Sequence, residues 1–355
     1  MKALILAGGA GTRLRPITHT RAKQLVPVAN KPILFFGIEA LRDAGITDIG
    51  IVVGDTEDEI RAAVGDGSAL GVKATYIRQE SPDGLAHAVK ISEPFLQRDS
   101  FVMYLGDNLI ADGIRPFVQE FEKERPNAQI LLARVTNPSA FGVAEIRDGK
   151  VVGLEEKPKE PKSDYALVGV YLFDANVFEA VKAIQPSSRG ELEITDAIQH
   201  LIDSGRDVRS HVIKGWWKDT GKLDDMLEAN RVALSGISLD VRGDVDDETV
   251  IHGDVIVEEG AVIRKSELRG PLIIGAGTTV EDSYIGPFTS ISAGCRISES
   301  EIEFSIVLEN SEIRNLGVRM EGSLIGKDAK IVQGPARPKA YRFMVGDNCE
   351  IQVPE

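Results

Sequence analysis

Residues 2–14 read KALILAGGAGTRL, and residues 21–32 read RAKQLVPVANKP. The first stretch is a short apolar run that passes directly into small residues and then into Thr12, Arg13 and Arg15. An apolar run of this length, ended by Gly8 and Gly9, predicts a strand buried on both faces, the kind found in parallel sheets. Glycines at its end let backbone approach backbone or ligand closely. Lys23 and Gln24 follow a few residues later, so the strand tip is expected to be surrounded by cations and free amides.

Working outward, residues 1 to about 220 alternate between strand and helix patterns. PILFFGIEALRDAG (32–45), EDEIRAAVG (57–65) and LAHAVKISEPF (85–95) read as helices. DIGIVVG (48–54), ATYIRQ (74–79) and SFVMYLGD (100–107) read as strands. This alternation implies βαβ crossovers and an α/β fold with a Rossmann-like, mostly parallel sheet. Ligands of such sheets bind at the carboxyl ends of the strands. The glycine loop, Gln79 and Gly106–Asn108 all fall at such ends, so they are expected to converge on one cleft.

KLDDMLEANRVAL (222–234) is the last helix pattern, and the texture then changes. In 273–313 aliphatic residues recur at Ile274, Val280, Ile285, Ile291 and Ile297, six apart except for one step of five at Ile285. Small residues follow many of them. This period predicts a parallel β-helix, with aliphatic side chains inside and Gly, Ser, Thr and Asn at the corners. The expected domains are 1–235 and 236–355, the second a left-handed β-helix of hexapeptide repeats. Its cap is expected in RPKAYRFMVGDNCEIQ (337–352), because solenoid ends need covering.

The bulk composition narrows the function. The chain has 355 residues and a net charge of −14, which disfavours nucleic acid as a partner, since that affinity rests on Lys and Arg meeting phosphates. Glycine is abundant at 35 residues. The cysteines, Cys295 and Cys349, have no metal-like spacing. No apolar run is long enough to span a membrane, and ALILA is too short for a signal peptide core. The expectation is a cytoplasmic protein with free thiols.

The glycine loop is neither GxGxxG nor a Walker A motif, for no Lys-Ser or Lys-Thr follows it at the required spacing. A plain strand-to-loop turn explains the glycines but not the cations that follow. Loop amides, a guanidinium and an ammonium together suit a triphosphate.

GGAGTRLRPIT and AKQLVPVANKP resemble the signature of the sugar-1-phosphate nucleotidyltransferases. QESPDGLAHA, YLGDN, FGVAE, EEKP, VGVYLFD, SRGELEITD and WWKDTG follow in that family's order. Lys23-Gln24 in TRAKQLVPVANKP is most similar to the glucose-1-phosphate thymidylyltransferases, and the β-helical tail to their longer members. The resemblance implies joining of a glucose 1-phosphate to dTTP with release of pyrophosphate, and Mg²⁺ as the cofactor.

It also implies roles. Arg13, Lys23, Lys157, Asp107 and Asp219 would be the catalytic set, with Asp107 and Asp219 holding the metal. Leu6, Gly8, Gly9, Gly11, Thr12, Arg13, Gln24, Gln79 and Gly84 would bind the nucleotide. Asn108, Gly142, Glu156, Lys157, Val168, Gly169 and Arg189 would bind the sugar phosphate. Asp107 and Asp219 suit Mg²⁺, which takes one or two carboxylates plus phosphate oxygens. No general base is needed, because a phosphate oxygen is already ionised.

Several alternatives stay open at this level. Gln79 does not separate thymine from uracil, so UTP or another hexose phosphate remains possible. Acetyl transfer by the β-helix would call for a catalytic histidine, and the tail offers only His252. A non-catalytic sugar-nucleotide sensor would have lost the acids and cations that are retained here. His87 stands where short members often have Gln, and it reads as a tolerated helix residue. His19, His200 and His211 have no neighbours suggesting chemistry, and Trp216-Trp217 reads as core packing. The flat faces of the β-helix suit a homo-oligomer.

Overall fold

The computed structural model describes residues 1–9, 11–334 and 351. It divides into two compact units. One comprises residues 1–10, 21–25 and 33–219; the other comprises 11–20, 26–32 and 220–355.

The first unit is built on a nine-stranded sheet. Strands Lys2–Leu6, Asp48–Val53, Lys73–Arg78 and Phe101–Leu105 lie parallel to one another, as the helices between them allow. Ala3, Leu4, Ile5, Phe101, Val102 and Met103 are all fully buried. Helix Ile33–Asp43 buries Ile33, Leu34, Ile38 and Leu41 on one face and ends at Gly45, whose φ of +88° reverses the chain. The helix expected over 85–95 is two, Leu85–Ile91 and Glu93–Leu96. Pro94 is the reason. It has no N–H to return to the Lys90 carbonyl, and the Ser92 hydroxyl bonds back to Ala88 O at 2.7 Å.

The nine-residue strand Tyr165–Phe173 departs from the parallel pattern. It runs antiparallel and changes partner midway, from Gly142–Arg147 at Ala166 to Phe101–Leu105 at Val170. Between these stand Val168 and Gly169. Gly169 has φ +66° and interrupts the register with the neighbouring Ala128–Arg134 strand. The break opens the sheet at the point where the sugar-binding pair was expected.

In the second unit, residues 240–332 form three parallel sheets stacked coil on coil, as a left-handed β-helix does. Val257, Ile274, Ile291, Val307 and Ile325 pair in sequence down one sheet. Leu268, Ile285 and Ile302 pair down another. The five-residue step at Ile285 is therefore part of the repeat. It returns from Ile297 to Ile302, and it makes most coils 17 rather than 18 residues, as in Ile274↔Ile291.

Its corner is built from residues that accept the left-handed region: Lys265, Asp282 and Glu299, with φ of +46°, +45° and +44°. A buried serine follows each. Ser266 and Ser283 donate to the carbonyls of Arg264 and Glu281, and they accept from the amides of Ser283 and Ser300 in the next coil. This ladder satisfies corner amides that would otherwise be stranded in the core. The expected C-terminal cap lies outside the described residues. No helix among those residues is long and apolar enough to cross a membrane.

The same unit contains a hairpin, Pro27–Val28 paired with Lys31–Pro32. Its turn residues Ala29 and Asn30 both have positive φ, +48° and +59°. That is the backbone of a type I′ turn, costly for alanine. Asn230, on helix Leu223–Leu234, accepts from Ala29 N at 2.8 Å and holds the turn.

Candidate active site

Three loops meet at the carboxyl ends of the parallel strands through glycines. A Cβ on Gly54 would stand 3.0 Å from Gly8 O, and one on Gly106 would stand 2.9 Å from Leu6 O. Side chains at these points would force the loops apart. Leu6 itself is buried, so it offers a ligand backbone rather than side chain.

Asp107 lies in the turn between Phe101–Leu105 and Asn108–Ile110. The latter strand pairs antiparallel with Trp217–Asp219, setting Asp219 opposite Asn108. This ribbon explains how two acids so distant in sequence come together. Lys23, on the short turn Lys23–Leu25 and almost wholly buried, puts its ammonium 2.5 Å from Asp107 Oδ2 and 3.5 Å from Asp219 Oδ1. Burial alone would raise the Asp107 carboxyl. The Lys23 charge and the Asn108 amide outweigh it, so Asp107 titrates below its ordinary value.

Asn108 is pinned on several sides. Its Nδ2 donates to Asp107 Oδ1 at 2.9 Å, and its Oδ1 accepts the Trp217 indole N–H at 2.6 Å. Gly169 is needed beside it, for a Cβ there would sit 2.9 Å from the Asn108 amide carbon. Trp217 does pack as expected, edge-on to Phe141, but it also fixes Asn108. A tryptophan in a motif does not reveal where its N–H points.

A second group lies around Glu156. Gly142 is its partner in the strand register, and a Cβ at Gly142 would stand 3.1 Å from Glu156 Oε2. Lys157 Nζ lies 3.5 Å from Glu156 Oε1, and Arg189 bridges Glu156 Oε1 at 3.4 Å and Glu193 Oε1 at 3.3 Å. Burial raises the Glu156 carboxyl, and the Lys157 charge offsets only part of that. Glu193 and Thr195 went unselected in the sequence, although both stand inside SRGELEITD. Thr195 Oγ1 is buried with no hydrogen-bond partner among the described residues, and its methyl faces Gly142. Val168 is fully buried, so only its backbone is available to a ligand.

The third group is Gln79, Gly84 and His87. Gln79 N donates to Val53 O at 2.9 Å, which places the residue at the strand end. Gly84 has φ +104°, and a Cβ there would fall 2.4 Å from Leu192 O. Gln79 Nε2 lies 3.2 Å from Gly84 O and 3.0 Å from His87 Nδ1. Gln24 is buried, its amide nitrogen 3.6 Å from where a Cβ on Gly9 would be. Its Oε1 has no partner among the described residues.

Gly11, Thr12 and Arg13 belong to the second unit. Gly11 takes φ +61° ahead of the turn Thr12–Leu14, and Thr18 Oγ1 donates to its carbonyl at 2.7 Å. The Arg13 guanidinium lies against Gly221, where a Cβ would come within 2.8 Å of a terminal nitrogen.

The arrangement can bind anions through cations that are themselves held by acids, with glycine-lined backbone beside them. Residues 2–236 match the family model described as nucleotidyl transferase. The chain is 58% identical over 355 residues to a glucose-1-phosphate thymidylyltransferase of Streptomyces antibioticus, covering 99% of each. It is 46% identical over 360 residues to the low-salt glycan biosynthesis nucleotidyltransferase Agl11 of Haloferax volcanii, covering 99% of this chain and 100% of that one. Among solved structures, a UDP-glucose pyrophosphorylase complexed with UDP-glucose superposes with a TM-score of 0.59 at 25% identity. That match covers 66% of this chain and 98% of the other.

Proposed function

This chain belongs to the nucleotidyl transferase family, and on that premise we propose that it transfers dTMP from dTTP to glucose 1-phosphate, giving dTDP-glucose and pyrophosphate. The observation that carries the chemistry is the convergence of Asp107 and Asp219 on the Lys23 ammonium. The nucleotide and sugar are inferred from the full-length relatives.

In this reading a phosphate oxygen of glucose 1-phosphate attacks the α-phosphorus in line. A new P–O bond forms there as the bond to the β-phosphate oxygen breaks, and the electron pair leaves on pyrophosphate. Two anions must meet, so neutralisation and alignment supply most of the catalysis. Lys23 has its position set by Asp107 and steadies the α-phosphate. Lys157 and Arg189 hold the attacking sugar phosphate, and Glu156 and Asn108 take its hydroxyls. Gly142 and Gly169 keep that floor clear, because a side chain at Gly142 would collide with Leu167 and Thr195 and crowd Glu156, and one at Gly169 would collide with Asn108. Arg13 clamps the departing pyrophosphate, with the glycine-loop amides of Gly8, Gly9, Gly11 and Thr12 in support. Gln79 reads the base, Gly84 lets backbone approach it, and Gln24 lies nearby.

Two converging carboxylates are a donor set that fits Mg²⁺ when phosphate oxygens complete the shell. Asp107 and Asp219 would hold the ion, and bound there it would offset charge on the α-phosphate. The test is an initial-rate panel of dTTP, UTP, GTP and ATP with glucose 1-phosphate, with product identification. Preference for GTP or ATP would overturn the pyrimidine assignment.

A further inference from the structure

We propose that His87 is a positioning residue that, together with the Gly84 carbonyl, holds the Gln79 amide with its oxygen toward the base, and so excludes cytosine. The proposal rests on the assignment of Gln79 to the base. It needs no further property of the site.

The donors and acceptors leave one solution. Gly84 O can only accept, so the Gln79 atom 3.2 Å from it is the amide nitrogen. That nitrogen has two hydrogens and no lone pair to offer. Its second neighbour, His87 Nδ1 at 3.0 Å, must therefore accept, which places the ring proton on Nε2. Both Gln79 N–H groups are then engaged. Only Oε1 remains, and it faces the glycine loop, 3.8 Å from where a Cβ on Gly8 would stand.

A lone Gln could rotate to donate or to accept, and would then tolerate either kind of base. Held by Gly84 O and His87 Nδ1 together, it can only accept. Thymine and uracil present N3–H at their pairing edge and satisfy it. Cytosine presents an N3 lone pair, which would oppose Oε1 lone pair to lone pair. The cost of setting two acceptors against each other with neither paired, rather than a better fit to thymine, is what rejects it.

The test compares kcat/KM for dTTP and dCTP in the full-length protein and two variants. His87→Asn keeps an acceptor at the Nδ1 position; His87→Ala removes it. The wild type and His87→Asn should both prefer dTTP strongly. In His87→Ala the preference should shrink about tenfold or more, through a lower KM for dCTP with kcat for dTTP little changed. A wild-type ratio in His87→Ala overturns the proposal. Gln79→Ala separates the two assignments: if it leaves the ratio unchanged, the base is read elsewhere, whatever His87 does.

Discussion

Asn230 is a residue on which a single change should cost the second unit several bonds at once. It is fully buried on helix Leu223–Leu234. Its Oδ1 accepts from Ala29 N at 2.8 Å and Ser290 Oγ at 2.7 Å, and its Nδ2 donates to Phe288 O at 2.9 Å. One amide thus links the hairpin turn at 29–30 to a coil of the β-helix. Asn30 adds a parallel link, donating to Ile291 O at 2.8 Å. Asn230→Ala strands three polar groups at once. A buried group left unsatisfied costs about 1–3 kcal/mol, and the freed Ser290 hydroxyl can turn elsewhere. Water entering the small cavity recovers part of the rest. The expected loss is about 3–5 kcal/mol, read as a lower urea midpoint by circular dichroism. Hydrogen exchange at 27–32 should quicken, since Ala29 would lose the bond that holds its left-handed backbone. Ser290→Ala removes only one of the three bonds and should cost about 1 kcal/mol. A loss below about 1 kcal/mol for Asn230→Ala, or equal losses in the two variants, would refute this account.

Two further outcomes follow from the acids. Asp107→Asn should keep the fold and lower the rate of metal-dependent pyrophosphate release by about 10²–10³-fold, the size expected for one preorganised charged group; an unchanged rate would remove Asp107 from the metal site. Glu156→Gln should lower affinity for glucose 1-phosphate and also stabilise the protein at neutral pH. The Glu156 carboxyl titrates above its ordinary value because burial disfavours its charge. The stability tied to it is therefore full below the unfolded-state value and is lost as pH rises through the folded one. The variant should match the wild type in acid and exceed it toward neutrality in urea midpoint. A variant less stable than wild type at neutral pH would show that the ion pairs with Lys157 and Arg189 outweigh the burial.

Much of the site was legible because its residues sit where strands stop. Asp107 and Gly8 follow apolar runs, Gln79 follows a mixed strand, and the cleft of a parallel sheet lies at such ends. The partners of those residues were not legible. KDTG does not announce that Asp219 lies opposite Asn108, because a two-stranded ribbon across more than a hundred residues leaves no local period. Nor does VGVYLFD disclose that its strand changes neighbour at Gly169. His87 read as a bland helix residue because its role depends on a hydrogen bond to another strand end.

Sequence alone determined the two kinds of architecture, since both are written in short periods: apolar runs between helices, then aliphatic residues at steps of five and six. Side-chain burial enforces those periods locally, so they survive in the linear text. Tertiary structure decided how the segments are grouped. Residues 11–20 and 26–32, early in the chain, belong to the unit that holds the β-helix, and Lys23 stands on the stretch between them in the other unit. It also decided which carboxylates face which ammonium, and which half of the Gln79 amide is free. These are pairings at long sequence separation. They follow from which surfaces the fold brings within hydrogen-bonding distance, and no local pattern encodes that.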